Sequence, residues 1–109
     1  MSIKALAEVN PKDDFRILHL IPVQYGRSHG MDFEDDDLWV VFSTEKMIHK
    51  LDVKNGRVRE IVELGKDDPT PHGMCRHDGH FYYSAAGFEP QQTKASGNSS
   101  DGYICRIDL

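Results

Sequence analysis

The tripeptide His-Gly-Met occurs twice in the sequence, and its recurrence constrains the fold more than any other feature. The two copies are 43 positions apart, and an arginine lies thirteen positions before each histidine, followed in both cases by an apolar run. Three pairs of segments match in this way, the last of them across a loop: 29–31 with 72–74, 35–40 with 78–83, and 48–53 with 104–109. A repeat of about 40–45 residues that is rich in short strands predicts propeller blades or another repeat array.

Each copy of the repeat consists of short strands separated by turn residues. Apolar or alternating segments predict four strands in the first copy, at 29–33, 38–42, 47–53 and 58–64. The Asn-Gly pair at residues 55–56 separates the last two strands and is the strongest short hairpin signal. We therefore expect an all-β protein with two four-stranded antiparallel propeller blades, one spanning residues 29–64 and the other residues 72–109.

The second copy differs from the first in its loop and in its end. Residues 87–102 are rich in Gln, Ser, Asn and Gly, and they replace the short turn between the second and third strands. This composition is typical of a flexible surface loop, and an insertion of this kind also marks the binding face of some repeat arrays. The second blade stops at its third strand. A lone predicted strand at 15–21 precedes the first blade, and residues 1–14 are interpreted as an N-terminal arm.

Two blades cannot close a propeller, because propellers typically have 4–8 blades and residues 15–109 supply only two. We therefore expect a homo-oligomer with cyclic symmetry, in which residues 15–21 complete the blade formed by residues 72–109 of the neighbouring copy. Three chains would give a six-bladed propeller, and we favour this trimer over four chains with eight blades. The alternatives are that the sequence is a fragment, or that its strands form a different small sandwich.

The second strand of the repeat predicts where the core lies. It is continuously apolar at residues 38–42, and its counterpart is residues 81–86. Such a strand is buried on both faces, as in a sheet that lies between two neighbours. We therefore interpret Trp39 and Tyr82 as packing between blades rather than as a platform for a ligand. The acidic turn at 34–37 lacks the alternating aspartates of a calcium loop and is interpreted as a solvated turn.

Composition limits the kinds of binding partner and the cellular compartment that we expect. The formal charge is −5 and no Lys/Arg cluster stands out, which argues against nucleic acid or an anionic membrane as the partner. No segment approaches the roughly 20 apolar residues of a membrane span, and the N-terminus does not resemble a signal peptide, so we expect a cytoplasmic protein. Cys75 and Cys105 fall on the first and third strands of one blade, too far apart to bridge. We predict two free thiols in a reducing compartment.

The segments that begin the two copies resemble a known family. Residues 28–31 (Ser-His-Gly-Met) and 71–74 (Pro-His-Gly-Met), with the strands that follow them, are similar to blades of the β-propeller superfamily that contains streptogramin (virginiamycin B) lyase and the SMP-30/gluconolactonase-like proteins. The resemblance covers residues 15–109. It implies a propeller with a central channel. In the lyase, two channel-facing histidines from successive blades lie near a magnesium ion and open a cyclic ester by elimination.

His29 and His72 occupy matching positions of adjacent blades and are similar to that pair of histidines. The resemblance implies that both line a channel and bind the ligand, with a divalent metal as a candidate cofactor. The chain lacks the carboxylates of the lyase pattern, and the residues at those positions are Arg27, Thr70, Ser43 and Ala86. Because elimination needs a base and a Lewis acid, these departures favour binding over catalysis.

Three functions follow from these observations. The first is a small β-propeller that binds an unassigned small molecule through a channel lined by repeated histidines, His29 and His72 in each chain. The second is a metal-dependent lyase or lactonase-like enzyme that acts on cyclic esters. The third is a truncated product without activity of its own. A purely structural role for the two histidines is the alternative, in which each hydrogen-bonds backbone at the start of its strand while Gly30 and Gly73 permit close approach.

Overall fold

The computed structural model describes residues 4–85 and 102–108, and all of its regular secondary structure is β-strand. Its nine strands are β1 Ala5–Asn10, β2 Arg16–Pro22, β3 Ser28–Glu34, β4 Asp37–Phe42, β5 Met47–Asp52, β6 Val58–Glu63, β7 Met74–His77, β8 His80–Ala85 and β9 Tyr103–Ile107. Strands make up 60% of the described residues and no helix occurs among them, which confirms the all-β prediction. Accordingly, this part of the chain contains no helix with the length and apolarity needed to cross a membrane.

The strands form three antiparallel sheets. We call them the hairpin sheet (β1-β2), the central sheet (β3-β4-β5-β6) and the C-terminal sheet (β7-β8-β9). The central sheet is the four-stranded antiparallel unit predicted for residues 29–64, and its last hairpin turns at Gly56, where φ is +75°. The C-terminal sheet contains the three strands predicted for the second copy. Of the expanded loop predicted at 87–102, all but Gly102 lies outside the described residues.

The segment predicted as an N-terminal arm, residues 1–14, contains a strand. β1 pairs with β2 along its whole length, and Leu6 faces the core opposite Ile21. A β-bulge between Glu8 and Val9 shifts the register of this pair. Because a bulge interrupts the alternation of inward and outward side chains, the period that identifies a strand is lost after only a few residues. The interpretation of residues 1–14 as an N-terminal arm therefore missed the strand Ala5–Asn10.

The strand predicted at 15–21 is present as β2, but its pairing differs from the prediction. Its partner is β1 in the same chain, so β2 is not a lone strand that precedes the first repeat. The hairpin sheet lies near the turn between β5 and β6 of the central sheet. The His19 ring Nε2 lies 3.0 Å from the carbonyl oxygen of Lys54 in that turn. Within the described residues, β2 therefore completes neither of the two repeated sheets.

The central sheet is packed on both faces. Alternate residues of β4 point to opposite sides, so that Leu38, Val40 and Phe42 pack with Leu51 against the hairpin sheet. On the other side, Trp39, Val41 and Ile48 pack against the C-terminal sheet. The Trp39 ring meets the Phe81 ring edge to face, with centroids 4.6 Å apart. Trp39 is thus core, as predicted.

The first strands of the two repeated sheets, β3 and β7, run side by side. The Gly30 N–H donates to the His72 carbonyl oxygen at 2.8 Å, which joins the two strands at one end. Further along, the Arg76 N–H donates to Asp32 Oδ2 at 2.8 Å, and the Arg76 guanidinium pairs with the Glu34 carboxylate. These contacts set the register between the sheets, and they place matching residues of the two repeats next to each other.

Ion pairs occupy the acidic turn between β3 and β4. Lys50 Nζ lies 3.0 Å from the Glu34 carboxylate, and Arg59 Nε lies 2.8 Å from that of Asp37. The hydrogen bond from Lys50 is the largest cause that lowers the pKa of Glu34, and the same bond raises the pKa of Lys50. The acidic residues at this end of the sheets therefore bind neighbouring cations.

The two cysteines are free, as predicted. Cys75 lies on β7 and Cys105 on β9, and β8 separates the two strands. Cys75 pairs with Tyr82 and Cys105 with Tyr83, so the two thiols project from opposite faces of the C-terminal sheet.

Candidate functional site

His29 and His72 meet where β3 and β7 begin. Their rings lie edge to face, with centroids 4.8 Å apart and planes inclined by 72°. His29 is exposed and His72 is half-buried, so a ligand can reach both. The two residues predicted to bind a ligand are thus brought together, although they are 43 positions apart in the sequence.

The contact between the two strands depends on Gly30. A Cβ atom at this position would lie 2.6 Å from the Met74 nitrogen, 2.7 Å from the His72 oxygen and 2.8 Å from the Gly73 Cα. All three neighbours are backbone atoms, which cannot rotate away. Gly73, the matching residue of the second repeat, has only the Ser84 hydroxyl at 3.0 Å from its added Cβ. Close approach of backbone is therefore found at Gly30 but not at Gly73.

The hydrogen bonds at this point are made by backbone groups rather than by the imidazoles. The His72 N–H donates to the Ser84 carbonyl oxygen at 2.9 Å, and the Ser84 N–H donates to that of Gly73 at 3.0 Å. Within 4–85 and 102–108, neither the His29 ring nor the His72 ring forms a hydrogen bond. Within this part of the chain, the two rings therefore do not form the hydrogen bonds to backbone that the structural alternative requires.

A cleft of about 440 Å³ opens beside the histidine pair. Its lining combines cationic and hydroxyl side chains with one of the two imidazoles: Arg27, Lys46, Lys66, His72, Ser43, Thr44 and Thr70. The lining includes no carboxylate among the described residues. Three of these positions, Arg27, Ser43 and Thr70, are those at which the sequence resemblance would place carboxylates. The cleft is therefore suited to hydrogen bonding and to negative charge.

Lys46 holds together the turn that forms one wall of the cleft. Its φ is +56°, which is uncommon for a residue other than glycine. Its ammonium donates to the carbonyl oxygens of Lys66 at 3.0 Å and Asp68 at 2.5 Å, and its own carbonyl accepts from the Leu64 N–H at 3.0 Å. These bonds offset a backbone strain of about 1 kcal/mol. Lys46 thereby fixes the segment that carries Lys66.

The opposite wall is fixed by a buried hydroxyl. Ser43 Oγ donates to the Pro71 carbonyl oxygen at 2.5 Å, and Pro71 is itself buried. This bond ties the end of β4 to the segment that precedes His72. Thr70 and His72 consequently face the cleft from a segment that is attached to the central sheet.

A third histidine, His49, belongs to the core and not to the site. It is fully buried, and its ring lies 4.9 Å from the Phe42 ring and 5.6 Å from that of Tyr25. Neither ring nitrogen has a hydrogen-bond partner in the described part of the chain. Burial lowers the pKa of His49, and the charge of Glu45 opposes this effect.

Metal binding by the described residues is limited to what the histidine pair can supply. No group of three or more His, Cys, Asp or Glu side chains that could hold a metal ion occurs among them. A closed zinc site uses four protein ligands, and catalytic zinc sites use three. Two imidazoles without a carboxylate are therefore an incomplete set for either kind of site, and for a hard ion such as Mg²⁺ they are the wrong chemistry.

The residues that form the cleft come from separate parts of the sequence, which is why the cations were not predicted. Arg27 precedes β3, Lys46 precedes β5, and Lys66 lies in the connection that follows β6. Only the departures from the family pattern at Arg27, Ser43 and Thr70 pointed to this place.

Comparison of the chain with known protein families, with curated proteins and with solved structures gives no match.

Proposed function

We propose that this chain is a two-blade unit of a β-propeller, and that it binds a small molecule in the cleft where His29 and His72 meet. The observation that carries the proposal is the contact between these two rings, 4.8 Å apart, at the edge of a cleft of about 440 Å³. Concave sites with a few convergent polar groups are the usual binding sites of small molecules. In this unit the central sheet is one blade and the C-terminal sheet contributes three strands of the next.

Two features of the fold support the propeller. Matching strands of the two repeats lie side by side at β3 and β7, as the innermost strands of neighbouring blades do. The central sheet also packs through both of its faces, which is how a blade meets its two neighbours. The resemblance to the streptogramin lyase and SMP-30/gluconolactonase-like superfamily is consistent with this arrangement, and it places the histidines at the channel.

Binding without turnover fits the cleft better than lyase or lactonase chemistry. An imidazole can act as a base, but opening a cyclic ester also needs a group that stabilises the developing negative charge. In the lyase that group is a metal ion, and the cleft supplies no carboxylate among the described residues to hold one. We therefore propose a binding protein. Enzymatic activity on cyclic esters is the alternative, and an assay of lactone turnover would detect it.

Ligand binding can be tested by NMR with a fragment library that contains neutral, cationic and anionic compounds. Binders should shift the backbone amides of residues 27–30, 43–46 and 70–73, and these shifts should be lost in the double variant His29→Ala/His72→Ala. His77→Ala, which changes an exposed histidine at the far end of β7, is the matched control. Equal binding by the double variant would contradict the proposal. Turnover of a lactone such as γ-butyrolactone that depends on both histidines would favour the enzyme instead.

We also propose that copies of the chain associate head to tail through the outer face of the C-terminal sheet. Ile104 matches Ile48 of the first repeat, and Ile48 is only 1% exposed because the C-terminal sheet covers it. Within the part of the chain that the structure describes, Ile104 has no such cover and is 79% exposed. Beside it, Tyr82 lines a mainly apolar groove of about 270 Å³. Exposed apolar surface of this kind marks an interaction site.

The other end of the chain offers a complementary surface. Leu18 and Leu20 on β2 are exposed, whereas Ile21 on the same strand is buried against the central sheet. Because the hairpin sheet covers the central sheet much as the central sheet covers the C-terminal sheet, its outer face is the natural partner for the face that carries Ile104. Each copy would then add its three stacked sheets to the ring, and the measured mass gives the number of copies. Since β2 already pairs with β1, the contact joins two faces and does not require exchange of β2.

The association can be tested by light scattering on the eluate of a size-exclusion column. The wild type should have the mass of an oligomer, and Ile104→Asp should reduce it to that of one chain, because a buried unpaired charge is strongly unfavourable. Ile61→Asp introduces the same charge at another exposed position, on β6, and should leave the mass unchanged. A wild-type mass equal to one chain at all concentrations would contradict the proposal.

A further inference from the structure

We infer that the ligand of the cleft is a small-molecule anion that carries phosphate or carboxylate groups. The inference rests on the proposed function, because it assigns a chemical class to the ligand of the same site. It follows from the distribution of charge along the sheets, from the absence of ion pairs at the cleft, and from the way the cations are held.

Ion pairing differs between the two ends of the repeated sheets. At the end where β3 finishes, Lys50, Arg59 and Arg76 each pair with a carboxylate. At the other end, where β3 and β7 begin, the cleft is lined by three cations. None of these three is ion-paired within the described part of the chain. The contrast is notable because the whole chain has 18 acidic and 13 basic residues.

Asp68, which follows Lys66 on the wall of the cleft, is already engaged by the backbone. Asp68 Oδ2 accepts the Gly65 N–H at 2.6 Å, within the turn that follows β6. The Asp68 carbonyl, and not its carboxylate, accepts from the Lys46 ammonium. Arg27 and Lys66 are thus available to a ligand, and the Lys46 ammonium keeps one of its three donors beside its two carbonyl partners. A cleft whose lining carries one sign of charge concentrates ions of the other sign.

The chemistry of the lining fits oxyanions in particular. Guanidinium and ammonium groups form charge-assisted hydrogen bonds with phosphate and carboxylate oxygens, and the threonine and serine hydroxyls add neutral donors. His72 adds a ring N–H at the edge of the cleft. A neutral sugar would need acceptors for its hydroxyl protons, which this lining supplies poorly. A nucleic acid would need an extended basic face, which a chain with a net charge of −5 does not offer.

The cations are also partly pre-organised. Lys46 is held by two backbone carbonyls, and the same bonds fix the backbone of Lys66. Ser43, through Pro71, holds the wall that carries Thr70 and His72. Binding to groups that are already in place loses less conformational freedom than binding to free side chains, so a site of this kind gains affinity for a matching anion.

The inference can be tested by NMR titration of uniformly ¹⁵N-labelled protein with inorganic pyrophosphate and, separately, with citrate. Sodium chloride keeps the ionic strength constant, and the two arms distinguish phosphate from carboxylate recognition. We expect saturable shifts of the amides of Thr44, Thr70 and His72. Lys66→Glu should weaken the apparent affinity by about tenfold or more, because it replaces an attractive charge by a repulsive one. Lys54→Glu makes the same change at an exposed site outside the cleft and should alter the affinity by less than twofold.

The outcomes distinguish failure of the proposed ligand class from failure of the proposed binding site. Equal weakening by Lys66→Glu and Lys54→Glu would mean general attraction of anions, and it would overturn the inference. If neither anion shifts the cleft amides while neutral fragments do, the ligand is not an anion but the proposed function stands. If no probe shifts them, both fail. Lys66→Gln, which removes the charge without reversing it, should give an intermediate loss, and the dispersion of amide signals shows that each variant is folded.

Discussion

Replacing Gly30 with alanine should force β3 away from β7 and destabilise the protein. The added Cβ would lie 2.6 Å from the Met74 nitrogen, and ordinary contacts begin at 3.4 Å. The two backbones must therefore separate by about 0.8 Å at this point. The Gly30 N–H···O=C His72 bond, now 2.8 Å long, lies directly in the path of this movement and should be lost or greatly weakened.

The expected loss of stability combines two costs and one gain. Overpacking of a well-packed contact costs about 1–3 kcal/mol, and the loss of one hydrogen bond costs about 1 kcal/mol. Alanine also restricts the unfolded chain, which returns about 0.4–1 kcal/mol. We expect Gly30→Ala to lower the free energy of unfolding by about 2–3 kcal/mol, which is a large share of the 5–15 kcal/mol typical of a domain.

Urea unfolding followed by circular dichroism measures this difference, and Gly26→Ala is the matched control. The nearest neighbour of a Cβ at Gly26 is the end of the flexible Lys4 side chain at 3.9 Å, so this variant should be as stable as the wild type or slightly more stable. The resonances of the His29 and His72 ring protons should move in Gly30→Ala, because the two rings no longer meet. Equal stability of the two variants would refute the argument that β3 and β7 touch.

Three further predictions concern the second repeat and the response to pH. Gly73→Ala should leave the chain folded, since among the described residues only the Ser84 hydroxyl is near, but it should weaken the association of copies if a neighbouring copy packs at Gly73 as β7 packs at Gly30; light scattering measures this. The pKa of Glu34 is lowered, mainly by Lys50, so its stabilising contribution is present above the ordinary pKa of 4.5 and is lost as the pH falls through the lower folded value. Glu34→Gln should therefore reduce the dependence of the urea midpoint on pH below 4.5. The pKa of His49 is lowered by burial, so the unfolded chain binds a proton more readily and stability falls as the pH drops below 6.5; His49→Leu should flatten that slope.

The repeat made most of the strands predictable, because each strand was identified twice. Alternation and the Asn-Gly turn placed β4, β5 and β6. The spacing of 43 residues matched β3 with β7 and β4 with β8, and the match of β5 with β9 was found across the loop. β1 had no such support. Its bulge between Glu8 and Val9 interrupts the alternation, and its few apolar residues do not form a continuous run. Leu6, the residue that anchors it in the core, carries no signal until its neighbours in space are known.

The histidine pair was predictable for the same reason, whereas the cleft beside it was not. Residues at matching positions of two adjacent repeats lie next to each other whenever the repeats stack, so the spacing alone brings His29 to His72. Arg27, Lys46 and Lys66 do not repeat at this spacing, and no two of them belong to the same short segment. Their proximity depends on the turn that Lys46 fixes through its bonds to Lys66 and Asp68, and no sequence pattern encodes those bonds.

The two repeats also show why matching motifs need not have matching roles. Gly30 is required because the backbone of β7 lies against it, while among the described residues an added Cβ at Gly73 would meet only the Ser84 hydroxyl. In the same way, Ile48 is buried beneath the C-terminal sheet, and Ile104 is exposed. The second repeat thus keeps a small residue and an apolar residue at the positions where the first repeat contacts its neighbour. Among the described residues of one chain neither is covered by a neighbouring sheet, and a further copy stacked on the C-terminal sheet would give them the same role that the first repeat already shows.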